Sequence, residues 1–175
     1  VHEAMQNPLV RGFLEKVERD EIIPIVPPVP DTDIEDYFDL IDRRFSNPKI
    51  GDTITRLCLD GSNRQPKFIL PSAADRVRAG QNVTGLALVS AFWCRYCYGE
   101  TDSGKPIAPN DPSWNRLNET ARKAKGDPKA WLAMGDIFGD LAKNPAYVAA
   151  FSHALDTIWS IGTKATLEAY LGDRL

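Results

Sequence analysis

Residues 83–97 read Val-Thr-Gly-Leu-Ala-Leu-Val-Ser-Ala-Phe-Trp-Cys-Arg-Tyr-Cys. The segment is apolar on almost every side, and its main interruptions are Ser90 and Arg95. A helix without a polar face is stable when other elements cover it all round. The segment therefore predicts the buried central helix of a helical domain.

Five Asn-Pro or Asp-Pro pairs punctuate the rest of the chain. In each pair the Asn or Asp can cap the free amides of a helix start, and the proline can occupy the first helical position. The pairs are Asn7-Pro8, Asn47-Pro48, Asp111-Pro112, Asp127-Pro128 and Asn144-Pro145. No alternating strand pattern or internal repeat is present. We therefore predict an all-α fold, a compact multi-helix domain over residues 1–175 with about seven to nine helices.

Further signals predict where individual helices begin and end. The first helix is predicted over residues 8–22, and the proline-rich residues 23–30 are predicted to form an extended strap on the core. Residues 32–35 have the pattern of a capping box. Another helix is predicted over residues 48–61, and Gly162 is predicted to break the last long helix.

The composition is typical of a soluble globular protein. The chain has 175 residues, of which 43% are apolar and 26% charged, enough for one domain with a substantial core. Its net charge of −3 gives no bulk attraction to nucleic acid or anionic lipid, and no apolar run reaches the roughly 20 residues that span a bilayer. No secretory signal is recognisable, and an odd number of cysteines suits a reducing compartment. We expect a cytoplasmic protein without nucleic-acid or membrane partners.

Cys94 and Cys97 form a C-x-x-C pair, which occurs in redox and zinc sites. A functional pair should have both sulfurs exposed and directed together, whereas a packing role should bury them. The pair falls inside the predicted central helix, and the only histidines are His2 and His153. Packing is favoured, and no metal is expected. Motifs for nucleotide phosphates or metalloprotease chemistry are also missing from the sequence.

Residues 56–68 form the most polar junction between apolar helical stretches. Gly61 is predicted to end one helix and Pro66 to start the next. The interval carries the hydrogen-bonding side chains of Asp60, Ser62, Asn63, Arg64 and Gln65. With Arg56 one turn upstream, the junction is a candidate binding loop on a rigid scaffold. The residues alone favour an ordinary helix–helix turn, in which Arg56 pairs with Asp52 or Asp60.

An ordered set of short motifs covers nearly the whole chain. The set comprises Val1-His2-Glu3-Ala4-Met5, Pro27-Pro28-Val29-Pro30, Arg44-Phe45-Ser46-Asn47, Arg56-Leu57-Cys58-x-Asp60-Gly61-Ser62, Pro66-Lys67-Phe68, Ala87-Leu88-Val89 and Val148-Ala149-Ala150-Phe151. In this order the motifs resemble the carboxyl-terminal domain of the long-chain mannitol dehydrogenases, a polyol-specific family that includes mannitol 2-dehydrogenase and fructuronate reductase. Each motif is weak alone, and the ordered set is specific.

The resemblance implies an NAD-dependent polyol dehydrogenase of which this chain is the mostly helical carboxyl-terminal part. Family members have an amino-terminal Rossmann domain that binds NAD, and substrate lies in the cleft between the domains. Their catalytic lysine, with its partner asparagine and histidine, precedes the position at which this sequence begins. We therefore expect a fragment that is inactive alone and has no catalytic, cofactor-binding or metal-binding residue. Its expected partners are its own Rossmann domain and a polyol or ketose substrate.

The family's substrate-orienting cations match two positions in the junction. Arg56 matches an arginine that contacts substrate hydroxyls, and Arg64 falls where close relatives carry a lysine with the same role. A guanidinium at that position keeps the charge but changes the donor geometry. Asp60, Asn63 and Lys67 are weaker candidates, because they could simply fix the loop. The arginines should hold the polyol while the upstream lysine acts as general base.

Two alternative functions remain open. The same domain could serve a hexuronate reductase of the fructuronate or tagaturonate type, in which a cation would meet a substrate carboxylate. The chain could instead be a free-standing, non-enzymatic helical interaction module. Such a module should leave no apolar docking face uncovered, whereas a domain without its partner should expose apolar surface near its start and beside the central helix.

Overall fold

The computed structural model describes residues 2–175 and confirms the all-α fold. Between these residues no β-strand forms, and a single isolated bridge pairs Glu100 with Pro106. Val1, the first residue of the predicted domain, lies outside the described residues. The longer helices are α1 (Pro8–Val17), α2 (Ile34–Phe45), α3 (Leu70–Arg78), α4 (Thr84–Cys97), α5 (Trp114–Ala124) and α6 (Pro145–Leu171).

Short helical turns join these helices. Single α-helical turns are His2–Met5, Ile54–Leu57, Gly61–Arg64, Lys129–Leu132 and Gly135–Phe138. Turns of 3₁₀ helix are Ile23–Ile25, Pro48–Ile50 and Gly139–Lys143, and π-helical turns follow α1 at Glu18–Ile22 and precede α3 at Gln65–Ile69. None of the helices within residues 2–175 combines the length and the apolar character needed to cross a membrane.

Helix α4 is the buried centre of the fold, as its sequence predicts. Leu86 and Leu88 are fully enclosed, and α4 packs most extensively against α6 and also against α5 and α1. Burial of one leucine side chain contributes about 1.5–3 kcal/mol. The free amides at the start of α4 are also satisfied, because the buried carboxylate of Glu21 accepts hydrogen bonds from Gly85 N (2.6 Å) and Leu86 N (2.8 Å).

The three Asn-Pro pairs cap helical segments, as predicted. The prediction is wrong for the two Asp-Pro pairs, because Ser113 is the N-cap of α5 and Pro128 is the N-cap of Lys129–Leu132, so neither proline takes the first helical position. Asn7 and Asn144 each accept hydrogen bonds from two amides of the following helix. Asn47, Asp111 and Asp127 each accept one from the amide two residues further on. The Asn side chains satisfy amides that have no partner within their own helix, whereas Asp111 binds an amide that precedes α5.

The predicted helix over residues 48–61 is wrong. Only the 3₁₀ turn Pro48–Ile50 forms at its start, because Gly51 adopts a left-handed conformation with φ 65° and ends it. Thr53 then caps a second turn, Ile54–Leu57. The candidate junction is therefore preceded by two short turns rather than by one continuous helix.

Two smaller predictions also need correction. Residues 23–30 are not extended throughout, since they begin with the 3₁₀ turn Ile23–Ile25. Helix α2 is capped by Asp33, whose carboxylate accepts from Asp36 N (3.1 Å), and not by Thr32. Aspartate is at least as good an N-cap as threonine, so a capping pattern one residue upstream does not fix the helix start.

Helix α6 is broken at Gly162, as predicted. The glycine has φ 82° and ψ 166°, a conformation that L-residues rarely adopt. The amide of Thr163 donates to the carboxylate of Asp102 (2.8 Å). A side chain from the loop over residues 99–113 therefore caps the second half of α6.

Large apolar side chains stay exposed between residues 29 and 68. Helix α2 has no buried residue. The exposed side chains of this segment are Val29, Tyr37, Leu40, Phe45, Ile50, Ile54, Leu59 and Phe68. Single exposed apolar residues are ordinary, but this many in one segment are typical of a surface that another structure covers.

Candidate functional site

A cleft of about 620 Å³ opens beside helix α4. One wall is the face of α4 that carries Phe92, Trp93 and Tyr96. The rest of the lining comes from α1, from residues 57–65, from the loop after α4 and from the second half of α6. Arg64 and Arg95 supply the cations of this lining. A largely apolar cleft with a few polar groups is the usual form of a small-molecule site.

The segment predicted to join two helices is itself a helix start. Asp60, and not Gly61, takes the left-handed conformation (φ 64°), and helical structure begins at Gly61. Aspartate tolerates this conformation because its short side chain bonds locally, and here the carboxylate accepts from Asn63 Nδ2 (2.5 Å). Pro66 does not restart a helix. It lies in the first turn of the π-helical segment Gln65–Ile69, which follows directly on the turn Gly61–Arg64.

This geometry places Arg64 in the cleft lining, at the end of the turn Gly61–Arg64. Its side chain is exposed. Asp60 and Asn63 bond to each other, which fixes the turn and matches the structural role that the sequence left open for them. Lys67 is also exposed and lies outside the cleft lining.

Arg56 lies on the turn Ile54–Leu57, just before the lining residues, and is not itself part of the lining. Its Nε and Nη2 both donate to the carboxylate of Asp52, which is the pairing that the ordinary-turn interpretation predicts. Hydrogen bonding to Arg56 lowers the pKa of Asp52, and the carboxylate raises the pKa of Arg56. The Asp52 side chain is 10% exposed and the Arg56 side chain 61%, so the guanidinium is held at one edge and open to solvent at the other.

Sequence reasoning missed the side chains that hold the turn Gly61–Arg64, here called the Arg64 turn, in place. Asp111 accepts from Ser62 N (2.8 Å) and from Ser62 Oγ (2.7 Å). Buried Gln65 accepts from Ser90 Oγ (3.2 Å), and Ser90 accepts from the Tyr147 hydroxyl (3.0 Å). These partners are separated by 49, 25 and 57 residues, so no local pattern links them.

A second polar cluster ties the loop after α4 to the helices. Arg95 donates to Asp102 (Nη2, 3.0 Å) and to the carbonyl of Glu100 (Nη1, 2.5 Å), and its guanidinium lies 4.6 Å from the ring centroid of Trp159. Burial alone would raise the pKa of Asp102, but the hydrogen bonds from Thr163 and Arg95 outweigh it and leave that pKa lowered. The cluster is a satisfied ion pair at the edge of the cleft.

The C-x-x-C pair is buried, with Cys94 0% and Cys97 1% exposed. Burial raises the pKa of both thiols, so they stay protonated and unreactive at neutral pH. No group of three or more His, Cys, Asp or Glu side chains in residues 2–175 is arranged to hold a metal ion. The redox interpretation of the pair is therefore wrong, and packing explains it.

Comparison with known proteins identifies the family. The family model described as the mannitol dehydrogenase C-terminal domain matches residues 1–159. The chain belongs to this family. A mannitol 2-dehydrogenase of Cereibacter sphaeroides is 57% identical over 98% of this chain, which covers 36% of that protein. A mannitol 2-dehydrogenase of Aspergillus fumigatus is 35% identical over 98% of this chain, which covers 34% of it.

Two solved structures share the fold. Mannitol 2-dehydrogenase of Pseudomonas fluorescens, in a ternary complex with NAD and D-mannitol, matches with a TM-score of 0.91 at 30% identity, over 98% of this chain and 35% of that one. A substrate-free D-sorbitol dehydrogenase matches with a TM-score of 0.80 at 18% identity, over 95% of this chain and 34% of that one, and shows the fold alone. The mannitol dehydrogenase domain described here thus spans about a third of the length of the relatives it matches.

Proposed function

We propose that this chain is the substrate-binding carboxyl-terminal domain of an NAD-dependent, mannitol-type polyol 2-dehydrogenase, which interconverts a sugar alcohol and a ketose. The observation that carries the proposal is the 57% identity to a mannitol 2-dehydrogenase over 98% of the chain. The TM-score of 0.91 to a mannitol 2-dehydrogenase in complex with NAD and D-mannitol supports it. The relatives named above favour this function over the hexuronate reductase and the interaction module.

In the proposed enzyme, one domain binds the cofactor and the other binds the substrate. Following the family resemblance, we assign NAD to an amino-terminal Rossmann domain and the general-base lysine to the sequence before Val1. NAD supplies the hydride acceptor, while the proton of the reacting hydroxyl passes to the lysine. No residue of this chain is assigned to NAD or to a metal, and the chain alone is expected to be inactive.

The proposed task of this domain is to orient the polyol. Arg64 lies in the cleft, where its guanidinium can donate several hydrogen bonds to neighbouring hydroxyls. Arg56 offers its exposed edge for the same purpose, while Asp52 holds the other edge. Neither arginine transfers a proton or hydride. Loss of either one should therefore weaken substrate binding more than the chemical step.

The partner we propose is the enzyme's own Rossmann domain. The apolar side chains exposed between residues 29 and 68, including Phe68 at 68%, belong to the segment that contributes residues 57–65 to the cleft. A domain that covers this segment encloses the cleft and excludes water from the bound polyol.

We place the enzyme in the cytoplasm. Cys58, Cys94 and Cys97 are all free thiols, as is usual in a reducing compartment. Fractionation of the source cells, with polyol oxidation followed in each fraction, tests this placement.

The experiment that tests the function uses the full-length protein. NAD-linked oxidation of mannitol, arabinitol and sorbitol, and reduction of fructose and fructuronate, are measured for wild type, Arg56→Ala, Arg64→Ala and Arg78→Ala. Arg78 is a matched control, because it is an exposed arginine paired with Asp75 outside the cleft lining. We expect mannitol oxidation by the wild type, a KM for mannitol raised about tenfold in the first two variants and an unchanged KM in the control.

Each contrary outcome has a distinct meaning. Fructuronate reduction without polyol oxidation moves the assignment to a hexuronate reductase. No turnover of any substrate by wild type that binds NAD contradicts the proposed substrate class and leaves the fold intact. An unchanged KM for mannitol in Arg56→Ala or Arg64→Ala would show that this arginine does not bind substrate and has a structural role.

A further inference from the structure

Two Asp-Pro pairs of the chain have the same local geometry. Asp127 accepts a hydrogen bond from Lys129 N (3.1 Å), and Asp111 accepts one from Ser113 N (2.8 Å). Each aspartate therefore caps the amide two residues further on. From the sequence, the two pairs are equivalent helix caps.

Asp111 differs because it also binds a segment 49 residues away. Its Oδ2 accepts from Ser62 N (2.8 Å), and its Oδ1 accepts from Ser62 Oγ (2.7 Å). Hydrogen bonds to an ionised carboxylate are shorter and stronger than those between neutral groups, and their directionality restricts the donors. Both oxygens of Asp111 thus fix Ser62.

Ser62 belongs to the same helical turn as Arg64, the turn Gly61–Arg64. The Ser62 amide is one of the free N–H groups of this helix start, so the carboxylate fixes both the position and the orientation of the turn. Arg64 ends the turn and lines the cleft. We propose that Asp111 is a positioning residue that sets where the Arg64 guanidinium lies in the cleft, an inference that rests on the proposed role of Arg64 in substrate binding.

The turn has a second, independent anchor at its other end. Gln65, the residue after Arg64, is buried and bonded to Ser90, which is bonded to Tyr147. Removal of the Asp111 carboxylate should therefore let the turn pivot about Gln65 rather than unfold. A displacement of about 1 Å in a substrate-orienting group can lower catalytic efficiency by about two orders of magnitude.

The test measures steady-state kinetics of the full-length enzyme with mannitol and NAD. Asp111→Ala is expected to raise the KM for mannitol about tenfold, with kcat changed less than about threefold and the KM for NAD unchanged. Asp127→Ala, the matched control, is expected to leave all three parameters unchanged, because it removes the same local cap without a contact to Ser62.

A double variant separates positioning from a direct effect. In the Arg64→Ala background, Asp111→Ala is expected to cause no further rise in the KM for mannitol, because the group that it positions is gone. A similar rise with and without Arg64 overturns the proposal, and so does an unchanged KM in Asp111→Ala.

The KM of Arg64→Ala separates the positioning role of Asp111 from the substrate contact of Arg64. An unchanged KM in Arg64→Ala overturns the substrate contact and this inference together, whereas a raised KM there with a normal Asp111→Ala overturns only the positioning role. Should Asp111→Ala not fold, Ser62→Ala removes the hydroxyl bond alone. That variant is expected to raise the KM about threefold, and an unchanged KM overturns the proposal.

Discussion

Gly61 lies directly against the indole of Trp93: a Cβ atom at residue 61 would be 2.4 Å from Trp93 Nε1. Trp93 in turn packs edge-on against the fully buried ring of Trp131, with ring centroids 4.8 Å apart. The Trp93 ring is thus held between the start of the Arg64 turn and the core. The sequence predicted that Gly61 ends a helix. In the structure Gly61 instead starts one, and glycine is needed there because the Trp93 ring approaches its backbone closely.

Gly61→Ala is expected to lower the free energy of unfolding by about 1–3 kcal/mol, because the methyl group must displace the Trp93 ring. Urea denaturation followed by tryptophan fluorescence measures it. Gly135→Ala is the control, since Gly135 is helical and has no heavy atom within 4 Å of its Cβ position. The control should be neutral or more stable by up to about 1 kcal/mol. Equal destabilisation in both variants would show that the Trp93 contact is not the cause.

Glu21→Ala is expected to lower the free energy of unfolding by about 2–4 kcal/mol, because the buried amides of Gly85 and Leu86 lose their acceptor. Thermal and urea denaturation measure the change. Glu119→Ala, which removes a carboxylate paired with Lys123 on the surface of α5, should cause no measurable change. Wild-type stability in Glu21→Ala would mean that water replaces the carboxylate at the start of α4.

The raised pKa of Glu18 predicts that the free energy of unfolding depends on pH. Burial, followed by the charges of Asp42 and Glu15, raises its pKa to about 7. A carboxyl group with a raised pKa in the folded state binds its proton more tightly there than in the unfolded state. The bound proton therefore stabilises the folded state. This contribution is complete at a pH below the unfolded-state pKa, and it is lost as the pH rises through the folded-state pKa. The free energy of unfolding should therefore fall as the pH rises from about 4.5 to about 7.

Glu18→Gln tests this dependence. The variant should match the wild type at pH 5 and be more stable at pH 8, because it no longer buries a charge there. Glu18 is only half-buried, so solvent screening limits the expected gain to about 1 kcal/mol. Urea denaturation at the two pH values measures it. A stability difference that is the same at both would assign the effect to packing instead of ionisation.

The native protein should react with a thiol reagent mainly at Cys58. Cys58 is partly exposed, whereas Cys94 and Cys97 are buried inside α4. Its pKa is also raised by burial, so the reaction should be slow. Cys58→Ser should remove the native reaction within this chain, and urea should expose the remaining thiols. Fast native labelling of Cys94 or Cys97 would reopen the redox interpretation.

The junction at Asp60 and Gly61 shows why local patterns failed where they did. Glycine is the usual residue for a left-handed helix end, so the sequence assigned that conformation to Gly61. In the structure the close approach to Trp93 requires a residue without a side chain at position 61, and Asp60 takes the left-handed conformation instead. Asp60 and Gly61 can both adopt the left-handed conformation, and the contact of Gly61 with Trp93, 32 residues further along the chain, decides which of them does.

The sequence by itself determined the all-α class, the buried helix α4, the Asn-Pro caps and the break at Gly162. Those features depend on helix propensity, hydrophobic periodicity and capping, which act over a few residues. Tertiary structure alone decided the site. The Arg56–Asp52 pair is local and follows from its i, i+4 spacing, but Arg64 lies in the cleft lining and Asp111 accepts hydrogen bonds from Ser62, 49 residues away. Such hydrogen bonds form only when packing brings distant segments to about 3 Å, a condition that no spacing in the sequence encodes.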